Sequence, residues 1–318
     1  MLTFVRGKAL HLVPVLFVVT CFSFLLTSLL PGDIAQVMAG PNATPQSVAA
    51  LRGELQLDQP LPVRYVSWLG KAVRGDLGTS PRSQTTVVDS IKERLPISLE
   101  LLLLAELIGL VVAIPAGIAS AYRAGGLLDQ AASGAAFGVL AIPGFVVAIV
   151  LIYLFAVQLD LVPATGYTPF LTDPFANLRS FFLPALTVGL GEAAAYTRLL
   201  RSDMIATLQE DYIAMARAKG LPTWHILVRH ALKPSSFTLL TVLGINIGRL
   251  MGGALIVETI FALPGIGRLL VESIYARDLV VVQGVVAFVA VAFVLVNFGV
   301  DLLYAVLDPR IRHGRALA

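Results

Sequence analysis

Three ionisable residues, Glu106, Glu192 and Arg249, stand inside stretches that are otherwise apolar. An unpaired charge in hydrocarbon is costly, so each of them requires a partner or a water-filled path. Arg249 lies nine residues from one end of its apolar run and Glu106 nine from one end of another. At a rise of about 1.5 Å per residue, both sit at a depth of roughly 13 Å, and Glu192 is slightly deeper. The expectation is that Arg249 pairs with Glu106 or with Glu192, as a structural ion pair or as the lining of a polar pathway.

A second group of polar residues lies between two apolar runs, in the stretch DYIAMARAKGLPTWHILVRHALKP at 211–234. It is basic and helical in pattern, which suits a surface that touches something outside the membrane. His225 and His230 fall within it, five residues apart, without an acidic or cysteine companion nearby, so no metal site is expected. The four histidines are otherwise scattered, and no HExxH pair occurs. Both Gly-Lys pairs, Gly7-Lys8 and Gly70-Lys71, are followed by alanine rather than Ser or Thr. The chain therefore lacks a phosphate-binding loop, and no catalytic residue, metal or cofactor is expected in it.

The elements that position these residues follow from composition. Hydrophobic residues make up 57% of the 318 positions, charged ones 14%, and the mean hydropathy is +0.84. That balance excludes a water-soluble domain of this length. A helix needs about 20 mostly apolar residues to cross a bilayer, and six segments qualify, at about 9–30, 97–119, 131–159, 181–200, 237–258 and 280–305. They are continuously apolar and rich in Leu, Ala and Val, unlike the period-two strands of a barrel. The fold class is therefore all-α, a polytopic membrane protein with six transmembrane helices.

Arg6 and Lys8 precede the first run. That run is longer than a signal-peptide core and is not followed directly by a cleavage site, so it is expected to be a retained helix. Cys21 lies within it and is the lone cysteine, which excludes a disulfide within the chain.

Basic residues orient the spans. One side collects Arg6, Lys8, Arg123, Arg198, Arg201, Arg217, Lys219, Arg229, Lys233, Arg310, Arg312 and Arg315, while the short loops of the other hold only Arg179, Arg268 and Arg277. Both termini are expected in the cytosol, with the charge bias also accounting for the net +3. The expected organisation is a cytosolic N-terminus and first helix at 1–30, an extracytosolic segment at 31–96, a five-helix core at 97–305 with a cytosolic loop at 203–234, and a cytosolic tail at 306–318.

In the outer segment, Thr44 before Pro45 reads as an N-cap of a short helix, and the segment is either a plain cap or a docking surface for a soluble partner. In the fifth span Gly244, Gly248 and Gly252 recur every four residues, clearing one helix face for close packing.

The loop at 211–234 resembles the EAA loop of permease subunits in bacterial binding-protein-dependent ABC importers, in the dipeptide, oligopeptide and nickel branch. In that resemblance Ala216 stands at the last alanine of the triplet and Gly220 at the glycine four residues on. Ala214 departs from the broader family by replacing its glutamate, as members of the peptide branch commonly do. The likeness continues in order through LLPGD at 29–33, LDQPLPVRY at 57–65, WLGKAVRGDLG at 68–78, RLPISLEL at 94–101, VETIFALPGIGRL at 257–269, RD at 277–278 and DLLYAVLDPRIR at 301–312.

The resemblance implies a type I importer permease fold with a small extracytosolic insertion after the first helix. It implies a coupling helix in which Tyr212, Ala216, Arg217, Ala218, Lys219, Gly220 and Leu221 meet an ATPase subunit. The implied partners are a second homologous permease subunit, two ABC ATPase subunits that bind the ATP and Mg, an extracytosolic substrate-binding protein, and the lipid bilayer of a bacterial cytoplasmic membrane. No nucleic acid is implied. Peptides are the first expected substrate, with nickel or glutathione-like compounds behind them. An ion-coupled secondary transporter would be expected to show internal repeats, which are not evident, and a purely structural scaffold would have little use for the ARAKG loop.

Overall fold

Runs of Leu, Val and Ala with few helix breakers become helices, and the breaks fall where proline, glycine or capping residues require them. The computed structural model describes residues 2–28, 35–36, 43–54 and 57–307. LLPGD at 29–33 and everything after 307, including the whole DPRIR end of the 301–312 motif, lie outside the described residues. Among the described residues there is no β-strand, only an isolated bridge between Thr79 and Thr86.

The helices are α1 (Leu2–Ser28), α2 (Pro45–Glu54), α3 (Leu61–Ala72), α4 (Val87–Tyr122), α5 (Leu127–Ala141), α6 (Gly144–Leu151), α7 (Pro174–Thr207), α8 (Asp211–Ala218), α9 (Leu232–Gly253), α10 (Leu255–Ile260), α11 (Ile266–Tyr275) and α12 (Leu279–Leu307). By length and apolarity alone, Val87–Tyr122 and Leu279–Val300 are long enough to cross a membrane. Leu127–Ala141 and Gly144–Gln158 add a third span if they are counted together. The remaining expected runs are helical as well, but each is shorter in its apolar part or interrupted by polar residues.

The run expected as one helix at 131–159 is bent by 103°. Ile142 precedes Pro143 and takes an extended conformation, with ψ of 127°, because a pre-proline residue is driven out of the helical region. A new helix then starts at Gly144 and passes into a π-helical turn over Ile152–Gln158. The fifth expected run likewise divides at Ala254 between α9 and α10.

The chain forms two compact units. The first comprises residues 1–98, 251–255 and 264–318. In it α1 packs against α12, and α3 lies on α1. Tyr65 of α3 sits edge-on to Phe24 of α1 at 5.6 Å, beside Trp68. Its hydroxyl meets that of Thr20 at 2.9 Å, so the WLGKAV region is anchored on the first helix. Thr44 accepts from Ser47 N–H at 3.2 Å and caps α2. Ser80 donates to the Asp278 carboxylate, and Asp278 in turn accepts from Val281 N–H at the start of α12.

The second unit comprises residues 99–250 and 256–263. Its longest helix, α7, starts where the Asp173 carboxylate accepts from Phe175 N–H and Ala176 N–H, both at 3.0 Å, with Pro174 in the first turn, where its missing N–H costs nothing. α5 and α6 both pack on α7. α7 also lies close against α4 at Gly189, where a Cβ would fall 2.9 Å from the Ala105 carbonyl oxygen and 2.9 Å from Ile108 Cβ. That approach brings the polar residues of the two helices within reach of each other.

Candidate functional site

The site has two parts in the second unit, a buried polar cluster and the 211–234 loop. In the cluster, α4 supplies Glu106, α7 supplies Glu192 and Tyr196 one helical turn apart, and α9 supplies Asn246 and Arg249. Spacings of three and four residues put each pair on one helix face. Arg249 Nη2 donates to Glu192 Oε1 at 2.8 Å. Asn246 Nδ2 donates to Glu192 Oε2 and, at 3.0 Å, to the Tyr196 hydroxyl. Tyr196 donates to Glu106 Oε2 at 2.9 Å. Arg249 thus meets Glu192 directly, and Glu106 is joined to Glu192 through Tyr196 and Asn246.

Both carboxylates are buried, as are Tyr196 and Asn246. The Arg249 side chain is different, at 64% exposed. Gly244 and Gly248, predicted as packing positions, are buried, whereas Ile245 and Arg249 stand on the open face of α9. Gly252 is helical, and its surroundings lie outside what is described.

In the loop, α8 ends in a left-handed turn. Gly220 takes φ of +74°, its N–H bonds to the Arg217 carbonyl at 2.9 Å, and Leu221 N–H reaches back to the Ala216 carbonyl at 3.3 Å. This is the Schellman pattern, which glycine adopts without a Cβ penalty. The chain then makes a helical turn at Thr223–His225 and a π-helical turn over Ile226–Ala231 before α9 begins.

Ile213, Ala216, Ile226 and Ala231 pack into one apolar core with Tyr196, Leu200 and Met204 of α7. Ser235 adds a bond from α9 to the Thr207 hydroxyl at the end of α7, at 2.9 Å. The loop is therefore seated firmly on the helix that carries Glu192 and Tyr196.

Of the residues predicted for an external contact, Tyr212, Arg217, Ala218, Lys219 and Gly220 are exposed, and Leu221 is half-buried. Ala216 turns inward, at 6% exposure, because it lies three residues from Ile213 on the face that meets α7. Met215 and Trp224 were not singled out from the sequence and stand outward, at 58% and 66% exposure. Large apolar side chains in a basic polar loop were the signal that could have found them. Tyr212 is partly desolvated there, which pushes its phenol above the usual range, with Glu210 adding to the effect.

His225 and His230 have ring centroids 5.4 Å apart, and among the described residues no group of three His, Cys, Asp or Glu side chains could hold a metal ion. Beside the cluster, on the α5–α7 contact, Arg201 binds the buried Asp129 carboxylate through two nitrogens, the second at 2.7 Å. Gly125 N–H donates to the same carboxylate at 2.8 Å. The guanidinium bond, then the backbone one, holds the Asp129 carboxyl at about 2, well below the usual range.

Known proteins resemble this chain over nearly its whole length. A protein of Brucella abortus (strain 2308) named as a peptide transport system permease is 40% identical over 313 residues, covering 98% of this chain and all of that one. A peptide ABC transporter permease protein of Sinorhizobium fredii is 38% identical over 98% of this chain and 99% of its own length. The glutathione transport system permease protein GsiC of Escherichia coli O6:H1 is 35% identical over 98% of this chain and its full length.

The solved MetNI methionine ABC transporter contains a chain that superposes with a TM-score of 0.58 at 16% identity, covering 69% of this chain and 96% of that one, so the two share a fold. Residues 1–102 match the N-terminal model of binding-protein-dependent transport system membrane components. Residues 113–313 match the model described as "Binding-protein-dependent transport system inner membrane component". With both models matched and full-length relatives throughout, the chain belongs to the binding-protein-dependent transport system inner membrane components, the permeases of ABC importers.

Proposed function

We propose that this permease forms half of a peptide pathway through a bacterial cytoplasmic membrane, with both termini in the cytosol. The observation that carries the reading is the seating of the loop. Ile213, Ala216 and Ile226 fix it to α7, while Tyr212, Met215 and Trp224 offer an apolar outer face among Arg217 and Lys219. A partner that grips this face moves α7 with it, as a rigid body rather than through a slack hinge.

The partner is one of two ATPase subunits that bind ATP and Mg. Their closure drives alternating access, together with a second, homologous permease subunit. A substrate-binding protein delivers cargo to the extracytosolic segment at 31–96 and to the loop at 263–267. The core at 97–305 carries the pathway, with its coupling loop at 203–234, and the tail at 306–318 is cytosolic. Hydrolysis takes place in the ATPases, not in this chain. Peptides as cargo are supported by the peptide-permease names of the relatives at 40% and 38% identity. The relative named for glutathione favours a second reading, in which the cargo is a glutathione-like peptide.

The test is stimulation of ATPase activity by loaded binding protein in the reconstituted complex. A Met215→Glu, Trp224→Ala double variant lies on the outer face and should insert normally, yet lose stimulation or release the ATPases. Full stimulation in that variant would remove the loop from the transmission path. Competition between trialanine and glutathione for uptake separates the two cargo readings.

A further inference from the structure

A guanidinium at intramembrane depth on the open face of a helix is not left against lipid, since hydrocarbon solvates its charge poorly and such groups face protein or a water-filled cavity. The face of α9 that bears Arg249 therefore looks onto water or another polypeptide. Its rotation is set by the rest of the helix surface, where Gly244, Asn246 and Gly248 are buried.

Arg249 is also held in place. Glu192 receives Arg249 on one oxygen and Asn246 on the other, which leaves that carboxylate no freedom to turn away. Asn246 is fixed in turn by Tyr196, and Tyr196 by Glu106. Two buried carboxylates, a phenol and an amide thus brace one guanidinium from behind. Arg249 spends one nitrogen on Glu192, and the rest of its planar fork faces outward beside Ile245, which is also exposed.

We propose that Arg249 is a substrate subsite, in which its free guanidinium edge takes the C-terminal carboxylate of a peptide in transit and Ile245 lies beside the adjoining side chain. This rests on the peptide reading above and names the group recognised. A planar fork pairs with a carboxylate through two parallel hydrogen bonds, and Glu192 keeps the fork aimed outward while offsetting part of its charge. That offset matters for transport, because a fully unpaired guanidinium would retain the anion it must release.

The experiment uses the complete complex in proteoliposomes, with binding protein loaded to the same extent with trialanine or with trialanine amide. In the wild type, uptake of the free acid should exceed that of the amide by about tenfold, the scale of a hydrogen bond to a charged group. In Arg249→Gln the acid-to-amide ratio should collapse toward one, and Arg249→Lys should restore part of it. An unchanged ratio in Arg249→Gln overturns the assignment, as does a wild type that shows no preference. Loss of the second permease subunit from purified Arg249→Gln complexes also overturns it, because the guanidinium then serves a subunit contact. A wild type that carries neither peptide removes the parent reading and this one with it.

Discussion

Tyr196 donates its hydroxyl to Glu106 at 2.9 Å and receives Asn246 on the same oxygen at 3.0 Å, so one phenol joins α4, α7 and α9 in the second unit. Removing the oxygen leaves a buried carboxylate and a buried amide each short of a partner. Tyr196→Phe should lower stability by about 1–3 kcal/mol, read as a fall in the thermal unfolding midpoint in detergent. An unchanged midpoint would mean that water or another group takes over both bonds.

The Asp129 carboxyl gives the chain an acid-side dependence of known sign. Its folded value, about 2, lies below the ordinary carboxylate value of about 3.9. The stabilisation is therefore complete above the unfolded value and is lost as the pH falls through the folded one. Wild-type stability should carry a component that is flat from pH 7 to 5 and declines between about pH 4 and 2. Asp129→Asn should lack that component, measured as the difference between the two unfolding curves across pH. Parallel curves would remove Arg201 as the cause.

Gly220 turns the chain at φ of +74° with open space around it, so the penalty for a side chain there is conformational rather than steric. Gly220→Ala should cost about 1–2 kcal/mol, and Gly220→Asn distinctly less, because asparagine tolerates the left-handed region. Limited proteolysis of the 211–234 loop should rank the three proteins in that order. Equal protection of the Ala and Asn variants would show that the turn is not what holds the loop.

Gly189 stands three residues before Glu192, where α7 meets α4. A methyl group there meets a main-chain oxygen and the branched Cβ of Ile108, neither of which swings aside. Gly189→Ala should destabilise by about 1–3 kcal/mol and loosen the Glu106–Tyr196 contact. Ile108→Ala should relieve only part of the loss, because the Ala105 carbonyl remains. Full rescue in a double-mutant cycle would place the strain on Ile108 alone.

Much of this was legible in the residues, and the rest failed for identifiable reasons. Continuous apolar runs mark helices whatever surrounds them, and the RHALKP and ARAKG motifs carry the family because they are local. Counting from the span ends placed Glu106, Glu192 and Arg249 at similar depth but could not select Glu192 as the contact of Arg249. Rotation of one helix about another depends on packing at glycines such as Gly189, which a single chain's pattern does not reveal. Tyr196 and Asn246 went unnoticed because neither is charged, although both complete the cluster. The 103° bend was readable in AIPG at 141–144, since Pro143 constrains Ile142, but hydropathy averaged over a long window smooths such a break away. Ala216 was assigned outward by motif position, while the helix period relates it to Ile213 on the inner face.

The bond from Ser80 to Asp278 joins residues 198 positions apart and sets an order of events during synthesis. Ser80 emerges early, yet its acceptor is made only as the ribosome nears the last long helix. Until then the turn at 79–86 rests on local bonds alone, among them Ser80 N–H to the Thr85 carbonyl and Ser83 N–H to the Ser80 hydroxyl. The final stretch of the chain thus supplies a contact that the first third awaits, and a permease truncated before Asp278 is made without it.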